Sequence, residues 1–242
     1  MSLDKKIAFV TGGSRGIGAA IVRRLAADGA IVVFTYAASE ARALALVAEV
    51  EAAGGVAQAV QADNADAPAL SAAIAACAAQ HGRIDILVNN AGILIRGADA
   101  SVADFDRIVG VNVRGVFVAS QAAVQHMGQG GRVITIGSVN GDRAGFEGAA
   151  LYSMTKSAVA GLMRGMARDL GPRGITANTV QPGPTETEIV SDAATKAFLR
   201  TLIPVGRMGQ DSEIADLVAF LAGPQAAFIN GAALTIDGGY LA

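Results

Sequence analysis

Tyr152 and Lys156 stand four residues apart in a stretch, 152–170, whose spacing predicts a helix, so both side chains share one face. A phenol gives and takes protons efficiently near neutrality only when its pKa is drawn down from about 10. A neighbouring ammonium favours tyrosinate and does this. The pair therefore predicts acid–base chemistry on a carbonyl or alcohol oxygen. Without further context, a Tyr and a Lys at this spacing form a solvated surface pair.

The context is a second constellation upstream, Thr11-Gly12-Gly13-Ser14-Arg15-Gly16-Ile17-Gly18. Glycines let a backbone approach a ligand closely, and the start of a following helix presents free N–H groups and partial positive charge to a pyrophosphate. The spacing is Gly-x3-Gly-x-Gly, and such turns also serve as plain tight turns. This one, however, follows the first predicted strand and opens a helix, where dinucleotides bind in βαβ sheets. An acid about 20 residues on would grip the ribose 2′-OH of NAD. Tyr36 holds that place; Asp28 comes before the strand and ends a helix, and Glu40 starts the next one. Arg15 instead offers a guanidinium to a 2′-phosphate, with Ser39 and Arg42 as further contacts. These features favour NADP(H) over NAD(H).

The elements that must carry these groups follow from periodicity. Apolar runs at 7–10, 31–34, 56–60, 84–88, 133–136, 175–180 and 233–236 are consecutive, not alternating, as expected of strands buried on both faces. Between them 18–28, 40–53, 69–81, 113–127 and 152–170 have helix length. The pattern predicts one α/β domain: a doubly wound, Rossmann-type parallel sheet of seven strands with helices on both faces. Gln181-Pro182-Gly183-Pro184 breaks the rhythm, and the polar segment that follows reads either as a lid, over about 183–207, or as a surface insertion.

Composition narrows the function classes. Hydrophobic residues are 52% and charged residues 17% of 242, with a net charge of −2. This is a packed chain with no general attraction for nucleic acid or anionic membrane. A mean hydropathy of +0.44 suggests apolar surface closed by a subunit interface. One cysteine, Cys77, and two histidines, His81 and His126, make a metal site an unfavoured reading. No signal-type or spanning apolar stretch is present, which points to the cytoplasm and away from a membrane.

Taken in order, Thr11-Gly12-x3-Gly16-x-Gly18, Asn89-Asn90-Ala91-Gly92, Ser138, Tyr152-x3-Lys156 and Pro182-Gly183 resemble the short-chain dehydrogenase/reductase family, in its 3-oxoacyl-carrier-protein-reductase-like branch. The resemblance runs from residue 6 to Asp237-Gly238-Gly239. It implies a homotetramer and a carbonyl reductase acting on a small-molecule carbonyl or alcohol. It implies that Ser138 bonds the substrate oxygen, that Lys156 bonds the nicotinamide ribose, and that Asn112 holds a relay water. A basic residue at Arg15 with no acid after the second strand implies NADP. Asp63 and Asn64 match where the adenine ring is held, and Asn89, Ala91, Gly92, Pro182, Gly183, Thr185 and Thr187 match the cofactor lining. One of the Asn pair mainly ties strands together. Asn140 and Phe146 border the substrate pocket, and Asp142 and Arg143 face either that pocket or solvent.

A second reading comes from another class. Residues 137–143 with 167–176 resemble a bacterial oxidoreductase linked to cyclic-di-GMP binding, which suggests a nucleotide-binding regulator on the same fold. Arg15, Arg42 and Arg143 are its candidate cations. An inactive assembly subunit is a third.

Overall fold

The computed structural model describes residues 3–188 and 192–242. Strands β1 (Ile7–Val10), β2 (Ile31–Tyr36), β3 (Val56–Gln61), β4 (Ile86–Asn89), β5 (Arg132–Ile136), β6 (Thr176–Pro182) and β7 (Ala233–Ile236) form one seven-stranded sheet in the order β3-β2-β1-β4-β5-β6-β7. Every neighbouring pair is parallel. The sheet is as expected, with small shifts of bounds. β4 begins later than the apolar run; the Ile84 N–H turns out of the sheet to the His126 carbonyl, while the Asp85 N–H bonds the Ile7 carbonyl of β1.

Around the sheet lie α1 (Gly16–Ala27), α2 (Glu40–Ala52), α3 (Ala67–His81), α4 (Val102–Val109), α5 (Gly115–Val124), α6 (Ala150–Leu170), α7 (Ala193–Leu202) and α8 (Asp211–Ala222). Successive strand residues point to opposite faces, and each face has its own core. Ala8, Val10, Val32 and Phe34 pack with α1, α2 and α8. Ile7, Phe9, Val33 and Leu87 pack with α3, α5 and α6.

Two helical regions differ from expectation. The single helix at 113–127 is instead the end of a longer run in which α4 passes through a π-helical turn, Gly110–Arg114, into α5. The expectation had neither α4 nor α8, yet both begin with a capping box, Ser101 with Asp104 and Gln210 with Glu213. In the proposed lid, Asp192 caps α7 through the N–H groups of Ala194 and Thr195, and Glu186 holds Lys196 at 2.7 Å and Arg200 at 2.8 Å. Residues 189–191, within that lid, lie outside the described residues.

The chain leaves β1 toward β2 and β3, then returns to add β4 to β7 on the other side. Loops after β1 and β4 therefore diverge at the carboxyl ends of the strands and leave a crevice. The glycine turn, Asn89–Gly92, Ser138 and Pro182-Gly183 all follow strand ends on this rim. No helix among the described residues is long and apolar enough to cross a membrane. Among them no cluster of His, Cys, Asp or Glu is placed to hold a metal.

Candidate active site

The glycine turn is held from below. Thr11 Oγ1 accepts the N–H groups of Asn90 and Ala91, both at 3.1 Å, and Asn90 Nδ2 returns to the carbonyls of Thr11 and Gly12 at 3.0 and 2.9 Å. Gly18 permits this approach, since a Cβ there would stand 2.3 Å from the Gly12 carbonyl oxygen. Gly16 takes a positive φ of 50° and leaves open space above the first turn of α1. The side chains of Asp66, Ser101 and Asp192 cap α3, α4 and α7, whereas Arg15, the N-cap of α1, caps nothing and no acid occupies the first turn. The N–H groups at this helix start, with the backbone of Ser14 and Ile17, are of the kind that can receive an anion.

Across the crevice, Ser138 follows β5 and is 7% exposed. Its Oγ accepts the backbone N–H of Asn140 at 3.1 Å and Asn140 Nδ2 at 3.2 Å, and its hydroxyl lies near enough to the Tyr152 phenol to favour the ionised form. Both Tyr152 and Lys156 lie on α6. Lys156 is buried at 7% exposure; its Nζ donates to the Ile136 carbonyl at 2.9 Å and lies 5.5 Å from the centre of the Tyr152 ring. No carboxylate pairs with it among the described residues. Asn112 sits in the π-helical turn. Its amide bonds both backbone groups of Ile93, at 2.8 and 2.9 Å, and Thr155 Oγ1 at 3.1 Å. It thereby fixes the 91–93 segment against α6.

Burial sets the charges. It pushes the Lys156 ammonium down to about 8 and raises the Tyr152 phenol, with the Ser138 hydrogen bond acting in the opposite direction. The phenol thus stands above its ordinary range, not below it as expected, because burial outweighs the Ser138 hydroxyl. A measurable consequence follows for stability. Between pH 8 and 10.5 the unfolded chain binds a proton at Lys156 that the folded chain does not, so stability rises with pH across that window. Cys77, raised from 9.0 to about 11 by burial, and Tyr152 act in the opposite sense at the alkaline end. Lys156→Met should remove the rise, which is worth up to about 3 kcal/mol. Urea midpoints of variant and wild type at both ends of the window test this; parallel curves would refute it.

Comparison with known proteins bears on the whole chain. The family model described as enoyl-(acyl carrier protein) reductase matches residues 12–241. A short-chain dehydrogenase/reductase from Serratia marcescens is 55% identical, with a TM-score of 0.97 and full coverage of both chains. The chain belongs to the short-chain dehydrogenase/reductase family. A family member from Burkholderia cenocepacia, solved in complex with NADP, is 49% identical over all of both chains, with a TM-score of 0.97. The cyclic-di-GMP-binding biofilm dispersal mediator protein of Escherichia coli is 45% identical over 238 residues, 97% of each.

The remaining residues that the family resemblance singled out divide into two groups. Gly12, Arg15, Gly16, Ala91, Gly92, Gly183 and Thr187 border the crevice; a Cβ on Gly92 would stand 3.6 Å from Lys156 Nζ, and one on Gly16 3.8 Å from Thr187. Three polar side chains expected at the cofactor or substrate are committed to the protein. Asn89 is turned into the core, bonding Ser120 and Thr135 at 3.0 and 3.2 Å. Asn64 donates to the Val111 carbonyl at 2.7 Å, tying the π-helical turn to the end of β3, while Asp63 beside it stays exposed. The amide of Asn140 is taken up by Ser138 and by the Gly145 N–H at 3.0 Å. Thr185 is buried with its hydroxyl on the Gly183 carbonyl at 2.9 Å, and Pro182 ends β6.

The end of β2 holds a feature sequence reasoning missed. Tyr36 is buried, and burial first and the nearby Glu40 carboxylate after it hold its phenol above the ordinary range; Ser39 precedes α2 as its N-cap. Arg42 grips both carboxylate oxygens of Glu188, at 2.7 and 2.9 Å, and Arg15 stands 3.7 Å from the same group. Arg42 first and Arg15 after it hold the Glu188 carboxyl below its ordinary range. The two cations expected at a 2′-phosphate are therefore brought together, around an anion of the chain's own.

Proposed function

We propose that this protein is an NADP(H)-dependent oxidoreductase that interconverts a ketone or aldehyde with its alcohol, with Tyr152 as the acid–base residue. The observation that carries this reading is buried Lys156, its Nζ on the Ile136 carbonyl and 5.5 Å from the centre of the Tyr152 ring, with Ser138 beside the phenol, across the crevice from an uncapped helix start. Bound NADP(H) supplies or accepts the hydride. The turn from Gly12 to Gly18 would hold its pyrophosphate, Arg15 and Arg42 its 2′-phosphate, and Lys156 its nicotinamide ribose, with Ala91, Gly92, Gly183 and Thr187 lining the rest.

During reduction Tyr152 gives its proton to the substrate oxygen, and in the reverse direction it takes one back. Ser138 donates to the same oxygen, holding charge as it develops. The Lys156 ammonium stabilises the tyrosinate that remains. Asn112, through Ile93 and Thr155, keeps α6 and the 91–93 segment in register. Phe146, with the Arg96 guanidinium 4.7 Å above its ring, forms one wall for the substrate. The homotetramer and the cytoplasmic location implied by the family belong to the same reading.

A cyclic-dinucleotide-binding regulator is the second reading, favoured by the Escherichia coli relative and by the cations Arg15, Arg42 and Arg143. One set of titrations separates the two. The purified protein should bind NADPH more tightly than NADH, by nicotinamide fluorescence, and should oxidise NADPH when supplied with a panel of aliphatic and aryl ketones. Binding of cyclic-di-GMP without oxidation by any ketone would overturn the reductase in favour of the regulator.

A further inference from the structure

We infer that Asn140 is a positioning residue that orders the single proton of the Ser138 hydroxyl toward the reacting oxygen. This rests on the reductase reading of the site. A serine hydroxyl has two lone pairs and one hydrogen. At Ser138 Oγ both lone pairs face N–H donors from one residue, the backbone N–H of Asn140 at 3.1 Å and its Nδ2 at 3.2 Å. The hydrogen is then left for a third direction, available to a neighbouring acceptor: the Tyr152 phenol, which Ser138 influences, or a substrate oxygen bound beside both.

The orientation of the Asn140 amide is itself determined. Its other end meets the Gly145 N–H at 3.0 Å, a donor that only the amide oxygen can satisfy, so the NH2 end must face Ser138. Space enforces the same arrangement. A Cβ on Gly145 would stand 3.1 Å from Asn140 Oδ1 and 3.0 Å from the Tyr240 hydroxyl, so the loop bearing Phe146 is held close against this amide. The substrate-side loop thus fixes the amide, and the amide fixes which way the serine points. Asn140 acts through Ser138 and needs no contact of its own with the substrate.

The test uses a double-mutant cycle with two readouts. Asn140→Leu keeps the side-chain volume and removes the amide; Asn140→Ala serves if the Leu variant folds poorly by circular dichroism. Both are combined with Ser138→Ala. The first readout is turnover with NADPH and a ketone that the wild type reduces. Asn140→Leu should lower kcat about tenfold, the effect of one well-placed hydrogen bond, with KM changed little. In the Ser138→Ala background it should have no further effect. The second readout needs no substrate. The chain has three tyrosines, so the ultraviolet titration of Tyr152 can be isolated by difference against Tyr152→Phe. Asn140→Leu should move that titration upward, as Ser138→Ala does, and the double variant no further than either.

Wild-type turnover, an unmoved titration in Asn140→Leu, or effects that multiply in the double variant, would overturn the inference, since a loop defect at Gly145 acts regardless of Ser138. If instead the wild type reduces no ketone while the titrations couple as stated, the reductase reading fails and the ordering of Ser138 by Asn140 stands.

Discussion

Replacing Tyr152 with Phe should lower turnover by about 10²-fold or more, the range over which a positioned general acid contributes. The variant should bind NADPH almost as tightly as the wild type. The expectation separates chemistry from binding because the two sit on different elements. The expected anion site is the start of α1 and the backbone of the glycine turn, held by Thr11 and Asn90 from β1 and β4. The phenol comes from α6, on the far side of the crevice, and contributes a single oxygen close to Ser138. Removing that oxygen leaves the ring, its packing and the Lys156 contact with the Ile136 carbonyl in place. Steady-state rates with a responsive ketone and fluorescence titration with NADPH provide both measurements. Near-normal turnover would remove Tyr152 from the chemistry; a large loss of NADPH affinity would make its role structural.

The second large effect is expected at Ala37, the first residue after β2. Ala37→Asp should weaken NADPH and strengthen NADH enough to reverse the preference. Ala37 is exposed, whereas Tyr36 before it is buried. A carboxylate can therefore be added at 37 without entering the core, and the same change at 36 would bury it at a cost in stability. Placed beside a 2′-phosphate held by Arg15 and Arg42, the new charge repels it. At an effective dielectric of about 20, like charges some 5 Å apart repel by about 3 kcal/mol, and salt reduces this. A tenfold or greater loss of NADPH affinity is thus expected, while the ribose 2′-OH of NADH gains an acceptor. Fluorescence titration with each nucleotide, free of any substrate, checks it. An unchanged ratio would place the 2′-phosphate elsewhere.

The sheet was legible because its inner strands, buried on both faces, read as largely apolar runs, and the partly exposed edge strands β3 and β7 completed the alternation of strand and helix. The helices were less so. α4 has a clear apolar face, Val102, Phe105, Ile108 and Val109, but at eight residues it is shorter than the runs that marked the longer helices. The capping box at Ser101 is the signal that remained. The π-helical turn is invisible to any count based on one period, since it inserts a residue into the repeat. At the site, motif order located Ser138, Tyr152 and Lys156, but not which way neighbouring polar groups face. For Asn89 strand parity would have served: Leu87, two residues earlier, packs with α3, α5 and α6, so Asn89 points to the same face and into the core. Asn140 and Glu188 offered no comparable sign. Their roles depend on partners brought back by a loop, Gly145 in one case and Arg42 in the other.

The grip of Arg42 and Arg15 on Glu188 has a consequence for how a phosphate is received. The cationic corner carries a resident counter-ion, so the arrival of a 2′-phosphate there is an exchange of one anion for another. Measured affinity then reports a difference between two pairings. Added electrolyte loosens both, and dilutes the selectivity less than two bare guanidiniums would suggest. NADH brings no anion to that corner and leaves the resident carboxylate where it is.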